Sequence, residues 1–271
     1  MYRNAFRFFF APLVVLTALR CALKLLLIDT ETGFYTGAPL LPWVFAGLTA
    51  LAALLTGIAA LRAEDPGMPI LRSRRPLEAA GFLAAAAIVC ISVLQWIALP
   101  AEQHVFNVLP KWLRMIEYGL GIASGVFLAL IVLWSSLSES AERRGILALG
   151  IVCWQALFLI ERFISFRQVA TVSDQMLEAL FWTGMLLFWL AYARCVAGVG
   201  ANRRRAVALA LVCVLLGMPL AAGQIAALAA LGASGGPSAP MAALILVMCA
   251  YLLCFVHSAI HSPGGEDGKK F

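Results

Sequence analysis

The sequence predicts an all-α, polytopic integral membrane protein with about eight transmembrane helices and both termini in the cytosol. Three observations carry this prediction. The chain of 271 residues is 63% hydrophobic and only 13% charged, with a mean hydropathy of +0.93, which is more apolar surface than a soluble domain can bury. The apolar residues fall into eight stretches, each near the roughly 20 residues that cross a bilayer as a helix. Lys and Arg gather in alternate connecting segments, the asymmetry that sets orientation in a membrane.

The first span, Phe8–Ile28, follows Arg3 and Arg7 as the core of a signal peptide would. Arg20 and Lys24 interrupt it and no small-x-small cleavage site follows, so it reads as a retained helix. The second span, Leu40–Leu61, has Pro39 and Pro42 at its start, where proline is tolerated. The third is Leu77–Leu99 and the fourth Trp112–Leu137. Gly121 and Gly125 give the fourth a small-xxx-small spacing that favours close helix packing. The fifth and sixth are Ile146–Phe166 and Met176–Val199. The seventh, Ala206–Leu231, contains Gly217 and Pro219, and a kink is expected there. Breaker-rich Gly232–Pro240 precedes the eighth, Met241–Ile260. These spans use most of residues 1–271 and form a single transmembrane helical domain. The longest connection, Arg62 to Leu77, leaves no room for a soluble catalytic domain.

Fourteen of the 20 basic residues, among them Arg62, Arg72, Arg74, Arg75, Arg143, Arg144 and Arg203–Arg205, lie in one alternate set of segments. The other set holds Lys111, Arg114, Arg162 and Arg167. This places the termini in the cytosol, and an even number of spans agrees in putting both on one side. The net charge of +6 is therefore spread over loops rather than gathered on one soluble face, which argues against a nucleic-acid partner. The partner expected instead is the lipid bilayer, and the expected location is the bacterial cytoplasmic membrane. The seven cysteines all fall within or at the edge of apolar spans, so no disulfide framework is implied and they read as small buried hydrophobes. Arginine clusters after the second and sixth spans hint at a parallel four-plus-four repeat, a compositional likeness that the charge asymmetry alone could produce.

Depth sorts the polar residues. Arg20 and Lys24 lie in the outer half of the first span, four residues apart and so on one helix face. A cation at mid-depth costs about 2.5–3.5 kcal/mol on insertion scales, so it needs a carboxylate, a wet cavity or a ligand. Glu117, Glu161, Arg162, Glu178, Gln95 and Gln224 also fall in outer parts of their spans, and Gln155 near mid-span on the face of Arg162. Together these nine form the candidate ligand-binding set, with Trp96, Trp154 and Trp182 as walls. The functional reading is an outward-opening polar cavity for a small polar or amphiphilic solute. The competing reading is a structural network of interfacial charges.

Other features carry less. The outer loop Asp29–Gly37 has two carboxylates, two glycines and an aromatic pair, and reads as an ordered turn more readily than as a lid or cation site. Cys254, His257 and His261 share one face of the last helix and are a weak metal candidate with no evident fourth ligand. No metal site or cofactor is otherwise expected. Gly232-Ala-Ser-Gly235 is similar to the GxSG serine motif of rhomboid intramembrane proteases. Ser234 and His257 are 23 residues apart, however, about 34 Å along a helix, so they cannot form a dyad. His104 lies in an outer loop with no motif around it. An enzyme is thus the least supported class. A scaffold, a membrane subunit of a larger complex or a homo-oligomer is the alternative to a solute-binding protein.

Overall fold

A computed structural model describes residues 2–27, 40–62, 75–99, 110–135, 141–166, 172–198, 203–232 and 237–261. The helices are α1 (Tyr2–Leu27), α2 (Leu40–Arg62), α3 (Arg75–Ala98), α4 (Lys111–Ser135), α5 (Ala141–Phe166), α6 (Val172–Val196), α7 (Arg203–Leu231) and α8 (Ala239–His261). Each contains a stretch long and apolar enough to cross a membrane. The loop Asp29–Gly37, Arg72, Arg74, His104 and Ser234 lie outside the described residues, as does the side chain of His261.

Six helices close a ring in the order α3, α4, α5, α6, α7, α8 and back to α3, while α1 and α2 pack on each other and on the outside of α7. We call the end where α1, α3, α5 and α7 finish the upper end. α7 thus has protein neighbours on most sides: α1, α2, α6 and α8. Its sequence explains this position. From Ala206 to Ala227 it carries small or aliphatic residues on every face, the pattern of a helix surrounded by others. α1 packs closely at Gly223, where a Cβ would sit 2.8 Å from Arg20 Cγ. Pro219 lies inside an unbroken α7. Enclosing helices can hold such a proline-bearing segment in register.

In the lower half the ring is solid. Phe188, Trp189 and Tyr192 of α6 meet Tyr251 and Phe255 of α8 with ring centroids 5.3–5.9 Å apart, and all five are buried. α3 and α4 approach closely at Gly125, where a Cβ would lie 2.8 Å from the Ala85 carbonyl oxygen. The small-xxx-small pair is therefore a helix-packing feature.

Three readings of the sequence need correction. The sixth helix begins at Val172 rather than Met176, which brings Asp174 into the helix. Only Cys213 and Cys249 are buried, and Cys90 and Cys153 are exposed on the outside of the bundle, because an apolar span has a lipid-directed face as well as a packed one. The main packing also does not follow a four-plus-four repeat: α7 packs on α1 and α2, whereas its counterpart α3 packs on α4 and α8.

Candidate functional site

The polar residues of the upper half form two groups. The first joins α1, α6 and α7. Arg20 and Lys24 are wholly buried, and both reach the carboxylate of Asp174, which is itself 4% exposed. Lys24 Nζ also donates to Gln224 Oε1 at 3.0 Å. Gln224 Nε2 in turn donates to the Pro237 carbonyl at 2.7 Å, tying the end of α7 to the chain entering α8. The Arg20 guanidinium lies 5.0 Å from the centre of the Phe45 ring of α2, in range for a cation–π contact. Every polar atom of the Gln224 amide is used. This group compensates the cost of two cations in an apolar helix and locks α1 to the ring.

Sequence reasoning missed Asp174. A hydropathy cut-off starts the sixth span after the polar segment Thr171-Val-Ser-Asp174 and assigns that segment to a loop. The same four residues have the spacing of an N-terminal capping box, Thr followed by an acidic residue three positions on. Extending the helix on that signal would have placed a carboxylate one turn above Glu178.

The second group joins α4, α5 and α6. Arg114 Nε lies 3.3 Å from Glu161 Oε1 across the α4–α5 contact. Arg162 Nε lies 4.0 Å from Glu178 Oε1, and Trp182 Nε1 donates to the same oxygen at 3.3 Å. Below them the rings of Trp154, Phe158 and Trp182 follow one another with centroid separations of 5.7 and 4.8 Å. The Arg162 guanidinium rests 5.3 Å from the Phe158 ring centre.

Glu117 differs from the other two carboxylates. It is 3% exposed, and its Oε2 has no hydrogen-bond partner in the protein. Among the described residues no basic nitrogen lies within ion-pair distance of it. One turn down α4, Gly121 is closely packed by Ser92 Oγ of α3 and Trp154 Nε1 of α5, the latter 2.9 Å from where a Cβ would sit. Trp154 Nε1 is buried without a partner, and so are both polar atoms of the Gln155 amide, a residue only 1% exposed. Such atoms cost about 1–3 kcal/mol each when nothing meets them, and most buried polar groups are met. Glu117 and Trp154 are thus neighbours across the α4–α5 contact without a well-formed hydrogen bond at Glu117 Oε2 or Trp154 Nε1, and both polar atoms of the Gln155 amide are without one too.

Glu117 and Glu161 also line a cleft between α4 and α5, together with Arg114, Leu113, Leu157 and Ile160. Its volume is about 260 Å³ including the open mouth. Ile160, at its edge, is 53% exposed, so the cleft opens to the outside of the bundle.

The nine candidate residues are therefore divided. Arg20, Lys24 and Gln224 belong to the α1–α6–α7 group. Glu117, Gln155, Glu161, Arg162 and Glu178 belong to the α4–α5–α6 side. Gln95 is half-buried on α3 and joins neither. Trp154 and Trp182 are buried, whereas Trp96 is 38% exposed. At the lower end Cys254 is half-buried and His257 exposed, and the described residues contain no group of three His, Cys, Asp or Glu side chains placed to hold a metal. Comparison with protein-family models, with curated proteins and with solved structures finds no match to this chain.

Proposed function

We propose that this is a multi-pass membrane protein that binds a small polar or amphiphilic solute on the α4–α5–α6 side of its upper half. The single observation that carries the reading is the set of buried polar atoms without a well-formed hydrogen bond on Glu117, which lines an open cleft, and on Trp154 and Gln155, about one turn below that cleft on α5. A purely structural network favours closed hydrogen bonding, as Lys24 and Gln224 display. Groups left open on facing helices suit a ligand that brings its own donors and acceptors. On this reading the Arg20–Lys24–Asp174 group is the structural staple. The distribution of Lys and Arg supports cytosolic termini, which makes the upper half the outer half of a cytoplasmic membrane.

The test is native mass spectrometry of the protein from nanodiscs, wild type beside Gln155→Leu. Leucine removes two unmet polar atoms, so folding is retained. A small molecule that co-purifies with the wild type and is lost from the variant supports the proposal. An unliganded wild type, or a ligand held equally by the variant, refutes it.

A further inference from the structure

The cleft between α4 and α5 limits what enters it. The enclosed part of the cleft is only about 20 Å³, room for about one water-sized group and far below the roughly 300–1,000 Å³ of pockets that enclose a whole small molecule. Only a head group fits, and the rest of the ligand stays outside the cleft. Leu113, Leu157 and Ile160 supply apolar walls, and the mouth lies at exposed Ile160, in the stretch of α5 apolar enough to face lipid.

Charge limits the head group. Three carboxylates, Glu117, Glu161 and Glu178, stand among two guanidinium groups. Arg114 is 3.3 Å from Glu161 and Arg162 is 4.0 Å from Glu178. Glu117 lines the cleft with the neutral Trp154 indole as its neighbouring donor and no cation within ion-pair distance. An anionic head would enter beside Glu117 and Glu161 and find Arg114 already engaged. A hard metal ion takes six or more oxygen ligands, and the described residues bring together no such group. A protonated amine supplies the missing donors and the missing charge, and charge-assisted hydrogen bonds of that kind are the strong ones.

Resting on the solute-binding reading above, we propose that the ligand is an amphiphile with an ammonium head. The head sits on Glu117 between α4 and α5, and the apolar part lies along the outside of the bundle past Ile160. The ammonium group has two natural sources, the head of an aminophospholipid in the surrounding leaflet or a free amine.

The experiment uses the full chain in nanodiscs and in detergent. Dodecylammonium is titrated into wild type, Glu117→Gln, Glu161→Gln and Ile160→Trp, with dodecanoate as the anionic control. Circular dichroism and gel filtration confirm the fold of each. The wild type is expected to hold dodecylammonium at least tenfold more tightly than dodecanoate. Glu117→Gln should weaken dodecylammonium by about tenfold or more. Ile160→Trp, which fills the mouth and leaves the carboxylate intact, should weaken it comparably. Glu161→Gln should have the smaller effect. Two further arms separate the sources. Retention of phosphatidylethanolamine over phosphatidylglycerol identifies a lipid head, and displacement of dodecylammonium by ethanolamine identifies a free amine. Equal binding of dodecanoate, or unchanged dodecylammonium binding in both Glu117→Gln and Ile160→Trp, overturns the assignment. If a co-purifying solute is lost in Gln155→Leu while dodecylammonium fails to bind, the binding site stands and the ammonium assignment falls. If neither binds, both fall.

Discussion

Replacing Asp174 with asparagine keeps the shape of the side chain and removes its charge. Two cations, Arg20 and Lys24, reach that carboxylate, and both are wholly buried. At an effective dielectric of about 20, opposite unit charges about 4 Å apart attract by about 4 kcal/mol. Asparagine loses two such attractions. It keeps the desolvation of both cations and their mutual repulsion. Lys24 is then left with Gln224 Oε1 as its hydrogen-bonding acceptor among the described residues beyond any neutral contact from the new amide. Breaking a buried pair by removing one partner costs about 3–5 kcal/mol, which shifts the unfolding equilibrium by a factor on the order of hundreds to thousands. Reversible unfolding in mixed micelles titrated with dodecyl sulfate measures this directly. Replacing the whole group, with Arg20→Leu, Lys24→Met and Asp174→Leu together, should cost far less than Asp174→Asn alone, because no charge is left buried. A loss below about 1 kcal/mol in Asp174→Asn, or a triple variant less stable than the single one, would refute the view that this carboxylate offsets the charge of α1.

Four other outcomes follow from the packing. Gly125→Ala drives a methyl toward the Ala85 carbonyl at 2.8 Å and should destabilise by about 1–3 kcal/mol. Gly47→Ala meets nothing within 4 Å and should stabilise by about 0.5–1 kcal/mol through helix propensity; the same micelle titration reads both, and equal effects would be inconsistent with the α3–α4 approach. Gln155→Leu should leave stability unchanged or raise it, since two unmet polar atoms disappear, and a clear loss would show that the amide has partners after all. Phe255→Ala removes a ring shared by Phe188 and Tyr192 and should cost about 3–5 kcal/mol, measured as a lowered unfolding midpoint.

Much of the fold could be read from hydropathy because each helix is a long apolar run closed by charges or breakers. α2 at Leu40–Arg62 and α7 at Arg203–Leu231 lie within a few residues of their expected bounds. Helix ends were less legible where the first turn is polar, and α6 shows why this matters. Its opening turn contains the partner of both cations on α1, 150 residues away in sequence from Lys24. Periodicity placed Arg20 and Lys24 on one face, but no local pattern reports which helix that face meets. The division of the candidate residues into two groups was hidden for the same reason, since it follows from a ring order that one sequence does not encode locally. Gln155 carried a weak signal, an amide near the middle of an apolar helix. That its amide would lack protein partners depends on what the neighbouring helices bring to that face of α5, which no local pattern reports.

The separation between Lys24 and Asp174 has a consequence for biosynthesis. Chains emerge at about 5–20 residues per second, so the 150 residues between them take roughly 8–30 s to appear. During that interval α1 exists with both cations and without the carboxylate that offsets them. It is therefore expected to wait at the membrane surface or in the insertion machinery until α6 arrives, and to be among the last helices to settle. A ribosome-bound chain stopped short of Asp174 should leave α1 extractable, and one stopped beyond α7 should not.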